Sequence, residues 1–434
     1  MKFRILIPCL LLAFWTALHG FGWQGEKPPS KKELKDWTKE YLAIGSRAMD
    51  AERARQLEIL GLIARTPDLS EKGEAKWRKD LLKAWDKLPE LPFDKGDGFY
   101  WEDEKRGRYI VGGKTKKPAG LLIAMHGGGV GSADASGAAS LYGPAASAND
   151  WVMIAPQALE ATERGWTDSG TEEWVWDLVE QARRTYGVDA DHVVLAGHSM
   201  GGYGSWTLGA HHADRVAALA PAAGAPTPIM ERGTEKIIDI DWGIVPSLRN
   251  VPMVVFQSLD DPRVPPGPNQ FAAKRVAEAR EKWGGYENFE YWELDGLAHD
   301  PPPGGPKAHF ERLVTRERQP VQDVVVWQPA LNWKRQFYWL FWEQPAQGAI
   351  IEARIDRANN KVTVQRTLHK ETEPGAGLAV LLDDTLLDLS KEITVELNGE
   401  EVFRAIPQRR LEVLFDTATF GDPGRMYSVK IALD

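Results

Sequence analysis

The stretch that most limits how this chain can fold is Val193 to Trp206, VVLAGHSMGGYGSW. The apolar run Val193 to Ala196 has the length of a short strand buried on both faces, and the residues after GHSMG start a helix. A strand that turns into a helix through G-x-S-x-G exposes its serine on a tight, strained corner. Gly197 and Gly201 let the corner close without side-chain collisions, so Ser199 is presented at the apex. Backbone N–H groups at the start of the helix would face negative charge developing beside the hydroxyl.

A serine hydroxyl is a weak nucleophile until a base takes its proton, so the rest of the chain must supply a histidine and a group to orient it. In the strand–turn–helix arrangement both follow the serine, acid first and histidine last. After the apolar segment Met253 to Phe256, QSLDDPRVP places Asp260 and Asp261 at a strand's carboxyl end, where ligand sites of open α/β sheets gather. After Glu290 to Leu294, DGLAHDPPP places His299 at the same edge. His309 falls in a predicted helix and His369 in the tail, which leaves His299 as the base; His211 and His212 end the helix after the elbow and carry no catalytic role. Acyl transfer also needs N–H donors aimed at an oxyanion from a backbone clear of side chains. His126 to Gly129, within MHGGGVG, follow a predicted strand and supply such a loop through Gly128 and Gly129, with the backbone N–H of Met200 as the second donor.

Around these motifs, Gly120 to about Arg318 alternates short apolar strands with helical segments, the pattern of a parallel sheet covered on both faces. Strands are predicted at Leu121–Met125, Val152–Ala155, Val193–Ala196, Val216–Ala220, Met253–Phe256 and Glu290–Leu294, and helices at Glu172–Tyr186, Tyr203–Ala210 and Gln270–Trp283. Phe99 to Val111 reads as a hairpin. Pro28 to Leu91 reads as two or three amphipathic helices packed against the next domain, and IIDIDW at Ile237 to Trp242 as a solvated loop. Beyond Val321, segments at Ile351–Ile355, Val362–Thr367, Ile393–Leu397, Leu411–Phe415 and Met426–Ile431, with a turn at Asn398–Gly399, predict a separately cored β-sandwich. Trp327, Trp333, Trp339 and Trp342 crowd its start; exposed, such rings would suit sugar or polymer binding. The expected division is a signal peptide over 1–22, a helical segment over 27–92, a catalytic domain over 93–318 and the sandwich over 321–434.

Lys2 and Arg4 ahead of the apolar run Ile5 to Leu18 read as a cleaved export signal, since about fourteen residues is short for a bilayer span. No membrane span is expected after cleavage, and the destination is periplasmic or extracellular. Cys9 is the only cysteine, so the mature chain holds neither a disulfide nor a thiol nucleophile. A formal net charge of -9 argues against nucleic acid as a partner. No H-E-x-x-H, cysteine pair or phosphate loop is present, so neither a metal nor a cofactor is expected.

HGGG at His126, GHSMGGYGSW at Gly197, DDPRVP at Asp260 and GLAH at Gly296 resemble the α/β-hydrolase superfamily, over somewhat under half of the chain. Within it the chain looks like the group of esterase D, feruloyl esterases and predicted peptidases, including exported bacterial members with a β-sandwich tail. The resemblance implies hydrolysis of small-molecule or polymer-linked esters through an acyl-enzyme. Its DxxVP pattern selects Asp261, followed by Val264 and Pro265, over Asp260. The GGY extension and Arg263 are also similar to the prolyl oligopeptidase family, whose large propeller has no room in the residues ahead of Gly120. A peptidase of that type, and a substrate-binding envelope protein on a hydrolase fold, are the alternatives.

Overall fold

The structure is a computed structural model that describes residues 27–46, 48–89, 93–369 and 373–434, so the expected signal segment lies outside the described residues. At its centre is an eight-stranded sheet: β1 (Gly96–Trp101), β2 (Arg106–Gly113), β3 (Leu121–Met125), β4 (Val152–Pro156), β5 (Val193–His198), β6 (Ala218–Ala222), β7 (Met253–Ser258) and β8 (Phe289–Leu294). Their order in the sheet is β1-β2-β4-β3-β5-β6-β7-β8. The first two ladders, β1 with β2 and β2 with β4, are antiparallel and the rest are parallel. Every residue of β3, β4 and β6 is buried, because helices cover both faces.

Alternation along β3 assigns those faces. Leu122 and Ala124 join one apolar cluster with α4 (Ala135–Ala148) and α8 (Gly305–Glu311), whereas Leu121, Ile123 and Met125 join another with α5 (Thr171–Tyr186), α6 (Met200–His211) and α7 (Gly267–Trp283). This second cluster does not stop at the α/β unit. It continues through Trp327, Phe337, Trp342, Val364 and Val380 into the interior of the tail, so the sandwich is not separately cored. Trp327, Trp333, Trp339 and Trp342 are 2 %, 6 %, 0 % and 0 % exposed, which removes them as a sugar-binding surface.

The tail has two sheets. Val324–Trp327, Ile350–Asp356, Lys361–Thr367, Ile393–Leu397 and Glu400–Ala405 form one; Gln336–Phe337, Leu340–Gln344, Ala376–Leu382 and Val429–Ala432 form the other. Their ladders are antiparallel apart from the parallel pair of Lys361–Thr367 with Ile393–Leu397.

Two expectations for the flanks need correction. Leu411–Phe415, expected as a strand, lies in a helix, α9 (Leu411–Thr417). The expected strand Met426–Ile431 begins only at Val429. The helices α1 (Lys31–Ile44), α2 (Asp50–Ile63) and α3 (Glu71–Trp85) pack chiefly on α9: Tyr41, Ile59, Ile63 and Leu81 share a core with Leu411, Leu414 and Phe415. Ser30 starts α1 with a capping box, its hydroxyl accepting from Glu33 N–H while Glu33 accepts from Ser30 N–H. Trp85 lies so close to the Gly421 backbone that a Cβ there would come within 2.0 Å of the indole, and Arg184 covers the ring at 4.8 Å. The N-terminal helices are thus held chiefly by the tail, with Arg184 of α5 as a contact to the sheet's covering helices.

Candidate active site

Four loops at the carboxyl ends of β3, β5, β7 and β8 meet at Ser199. Ser199 has φ 61° and ψ -123° between β5 and α6, a backbone conformation that costs an L-residue energy and persists only where its surroundings enforce it. The enforcement is visible. A Cβ on Gly197 would lie 2.2 Å from the Gly201 carbonyl oxygen, and one on Gly201 would lie 2.1 Å from that of Met125. Ser199 N–H donates to Ala222 at 2.9 Å, and Tyr203 N–H donates to the Ser199 carbonyl at 3.1 Å. Met200 is the first residue of α6, so its N–H has no acceptor within the helix.

His299 connects the serine to the acid. Its Nε2 lies 3.0 Å from Ser199 Oγ and its Nδ1 lies 2.7 Å from Asp261 Oδ2. A carboxylate can only accept, so Nδ1 carries the hydrogen and Nε2 faces the serine as acceptor. The Asp261 side chain is 0 % exposed and that of His299 is 13 % exposed. The other oxygen, Oδ1, accepts from Arg263 N–H at 2.8 Å and Val264 N–H at 2.9 Å, which fixes the carboxylate plane. Only the backbone of Arg263 takes part, and its side chain is exposed.

Asp260 points elsewhere and does something that sequence reasoning missed. Its Oδ1 accepts from Ser258 Oγ at 2.6 Å and from the N–H groups of Gly296, Leu297 and Ala298 at 3.1, 3.2 and 2.9 Å. These are the residues that lead into His299, and Ala298 is held at φ 47°. The hydrogen bond from Ser258, then those from the loop, lower the carboxyl pKa. Asp260 therefore ties the acid loop to the histidine loop. The adjacent acidic pair DD was the signal: one carboxylate for each loop.

The β3 loop meets the serine from the other side. His126 is 2 % exposed; its Nδ1 donates to the Gly127 carbonyl at 2.7 Å, and its Nε2 accepts Ala158 N–H at 3.0 Å. Burial lowers its pKa, which suits a neutral ring pinning the loop. Gly127 is the glycine against Ser199: a Cβ there would lie 3.2 Å from Ser199 Cβ. Gly128 and Gly129, the expected donors, lie one and two residues further on, paired with Ala133 and Ser132 in a small hairpin whose tip, Val130, is 75 % exposed.

His198, also unforeseen, packs its ring 4.9 Å from that of His299. Burial, then the charge of His299, pushes its pKa down to about 4, so it stays neutral beside His299. His211 and His212 lie apart from this group, each beside Glu172 at 3.0 and 3.1 Å. Among the described residues no cluster of metal-ligating side chains is present, and no helix is long and apolar enough to cross a membrane.

Residues 140–296 match the family model for esterases, described as "Putative esterase". No curated protein matches the chain. Among solved structures, a thermostable esterase is similar at 19 % identity and a TM-score of 0.36, with 49 % of this chain and 60 % of the other covered. A poly(3-hydroxybutyrate) depolymerase from Bordetella parapertussis is similar at 19 % identity and a TM-score of 0.35, covering 48 % of this chain and 86 % of its own. A ferulic acid esterase from Anaeromyces mucronatus is similar at 16 % identity and a TM-score of 0.35, covering 52 % and 93 %. Residues 140–296, the part of the chain that matches the esterase model, carry β4 to β8 of the central sheet together with Ser199 and Asp261.

Proposed function

We propose that this chain is an exported serine hydrolase that cleaves carboxylic esters through an acyl-enzyme. The observation that carries the reading is the unbroken chain from Ser199 Oγ through His299 to Asp261, with contacts of 3.0 and 2.7 Å. Ser199 Oγ attacks the ester carbonyl carbon while its proton passes to His299 Nε2, and Asp261 stabilises the imidazolium through Nδ1. The carbonyl oxygen becomes an oxyanion facing Met200 N–H and the glycine loop that starts at Gly127. Collapse expels the alkoxide, which takes the proton from Nε2 and leaves as the alcohol. Water then repeats the sequence on acyl-Ser199 and releases the acid.

Export follows from the basic and apolar start of the sequence, and a mature chain without cysteine suits an oxidising compartment. The division of labour is a catalytic unit over 93–318 with the N-terminal helices and the tail as its support. Purified protein should hydrolyse short-chain aryl esters. Ser199→Ala should lower turnover by about a thousandfold or more and abolish labelling by a fluorophosphonate probe. Turnover in Ser199→Ala equal to wild type would contradict the proposal.

A further inference from the structure

Among the described residues, one tryptophan is exposed: Trp242, at 42 %. It stands beyond the hairpin of Pro228–Met230 with Ile237–Ile240, in the segment expected to be a solvated loop. The segment instead borders a cleft of about 340 Å3 between the hydrolase unit and the tail, to which α7 contributes Lys282 and Trp283 and the tail contributes Gln328 and His369. That size and an interdomain position are usual for small-molecule sites.

The exposure of Trp242 is built in. Gly348, at φ 81° in a turn of the tail, lies beneath the ring, and a Cβ there would come within 3.0 Å of it. The His369 ring meets the indole edge-on, with centroids 4.8 Å apart at 74°. The indole is therefore braced by the tail while its position on the cleft wall leaves it open to solvent.

Two polar groups on the cleft wall have bonding capacity unspent, and one of them is held in place. Gln328 is 9 % exposed, and its Oε1 accepts Gly243 N–H at 2.8 Å. That bond settles which end of the amide is oxygen, so Nε2 presents two N–H donors, and it has no partner among the described residues. The Asp241 carboxylate likewise has none. By contrast, Asp239 and Glu278 are taken by Arg275 at 3.3 and 2.8 Å. What remains is Asp241 against Lys282, and Lys282 Nζ sits 4.6 Å from the Trp283 ring centroid. The charges cancel.

A flat aromatic face, an amide that only donates and a carboxylate that only accepts match one ligand chemistry. A pyranose ring offers C–H groups to the π face, while its hydroxyls both accept and donate. The balance of charge disfavours a uronate or sulfated chain. We propose that the cleft binds a neutral pyranose oligosaccharide, with Trp242 as the stacking platform and Gln328 and Asp241 as its hydrogen-bonding partners. Cleft residues on α7 lie from Arg275 to Trp283, about 12 to 24 Å along the helix from Gly267, which follows the acid loop. The site is separate from Ser199, and binding there does not depend on the hydrolytic reading.

The test uses the full chain and its Ser199→Ala variant, titrated with β-1,4-linked hexasaccharides of glucose, xylose and mannose, read by tryptophan fluorescence and calorimetry. At least one should bind saturably with Kd at or below about 1 mM, equally in both proteins. Trp242→Ala should weaken it by about tenfold or more, Trp242→Tyr should restore part of the loss, and Gln328→Ala should weaken it severalfold with the fold intact by circular dichroism. Turnover of a small aryl ester should not change in any of the three. Absence of saturation with all three sugars at about 10 mM, wild-type binding by Trp242→Ala, or equally tight binding of polygalacturonate would each overturn the proposal. Failure to cleave esters with sugar binding intact would remove the hydrolytic reading and leave the cleft.

Discussion

The sheet edge that carries Ser199 and the junction between the α/β unit and the tail both bury carboxylates, and they use them in opposite ways. At the edge, Asp261 faces an imidazole and two backbone N–H groups, and the strained residues Ser199 and Ala298 hold serine and base toward solvent. At the junction, Asp214 is fully buried between Lys334 and Arg425, both at 2.8 Å, and Arg318 lies between Asp191 at 2.6 Å and Asp422 at 2.7 Å. Burial works to raise the Asp214 pKa, and Arg425 and Lys334 more than offset it. A carboxylate paired with an imidazole can support a proton moving on and off its partner. One locked between cations can only hold two parts of the chain together. The junction pairs join Asp214 to Lys334 and Arg425 of the tail and Arg318 to Asp422 of the tail, where the apolar core is continuous as well.

The largest effect separates the two regions by activity. Asp261→Asn should lower kcat by about 10,000-fold with unchanged melting temperature, because the imidazole is then held in the wrong tautomer. A loss below tenfold in steady-state turnover would place the orienting acid on another loop.

The mirror image is Asp214→Ala, which strands Lys334 and Arg425 in the interior. It should cost about 3 to 5 kcal/mol in denaturant unfolding while the fraction still folded turns over normally. Loss of kcat without loss of stability would break the distinction.

Acid sharpens it further. His309 is 1 % exposed, donates Nε2–H to the Val254 carbonyl and has its pKa pushed down to about 4 by burial; His198 at the catalytic edge is shifted to a similar value. An unfolded chain binds these protons from pH 6.5 downward and the folded chain resists until about 4, so stability is intact above 6.5 and falls as the pH drops through that window. His309 alone should account for about 3 kcal/mol of that loss. Unfolding free energies at pH 7 and pH 4 should converge in His309→Phe relative to wild type; an unchanged acid slope would refute the assignment.

The smallest effect concerns the tie between loops. Asp260→Ala should lower kcat by about tenfold by loosening the turn before His299, whereas Asp260→Asn, which keeps an acceptor oxygen, should lose little. Equal losses in both variants would mean that the charge, and not the acceptor, matters.

These regions also differed in how far the amino-acid sequence revealed them. The elbow was legible because its glycines sit at fixed places in one short motif, with Gly197 closing on Gly201 four residues later, and the order of serine, acid and histidine follows the order of the strands. The pair DD marked Asp260 but not its partners, because the N–H groups it accepts from lie 36 to 38 residues later. LEVLF at Leu411 is a short apolar run whose period suits strand or helix, and the helices it completes lie more than 320 residues earlier. Lys334 and Asp214 are 120 positions apart, so no local pattern announces the junction. Tryptophan content likewise could not say which ring would stay exposed.

If the proposed mechanism holds, Ser199 becomes acylated during turnover. Rapid quenching during turnover of an aryl ester, followed by mass analysis of the proteolysed chain, measures this directly. One acyl group is expected on the Ser199 peptide, formed in a burst matching the enzyme concentration and absent from Ser199→Ala. An acyl group on another residue, or full turnover with none on Ser199, would contradict it.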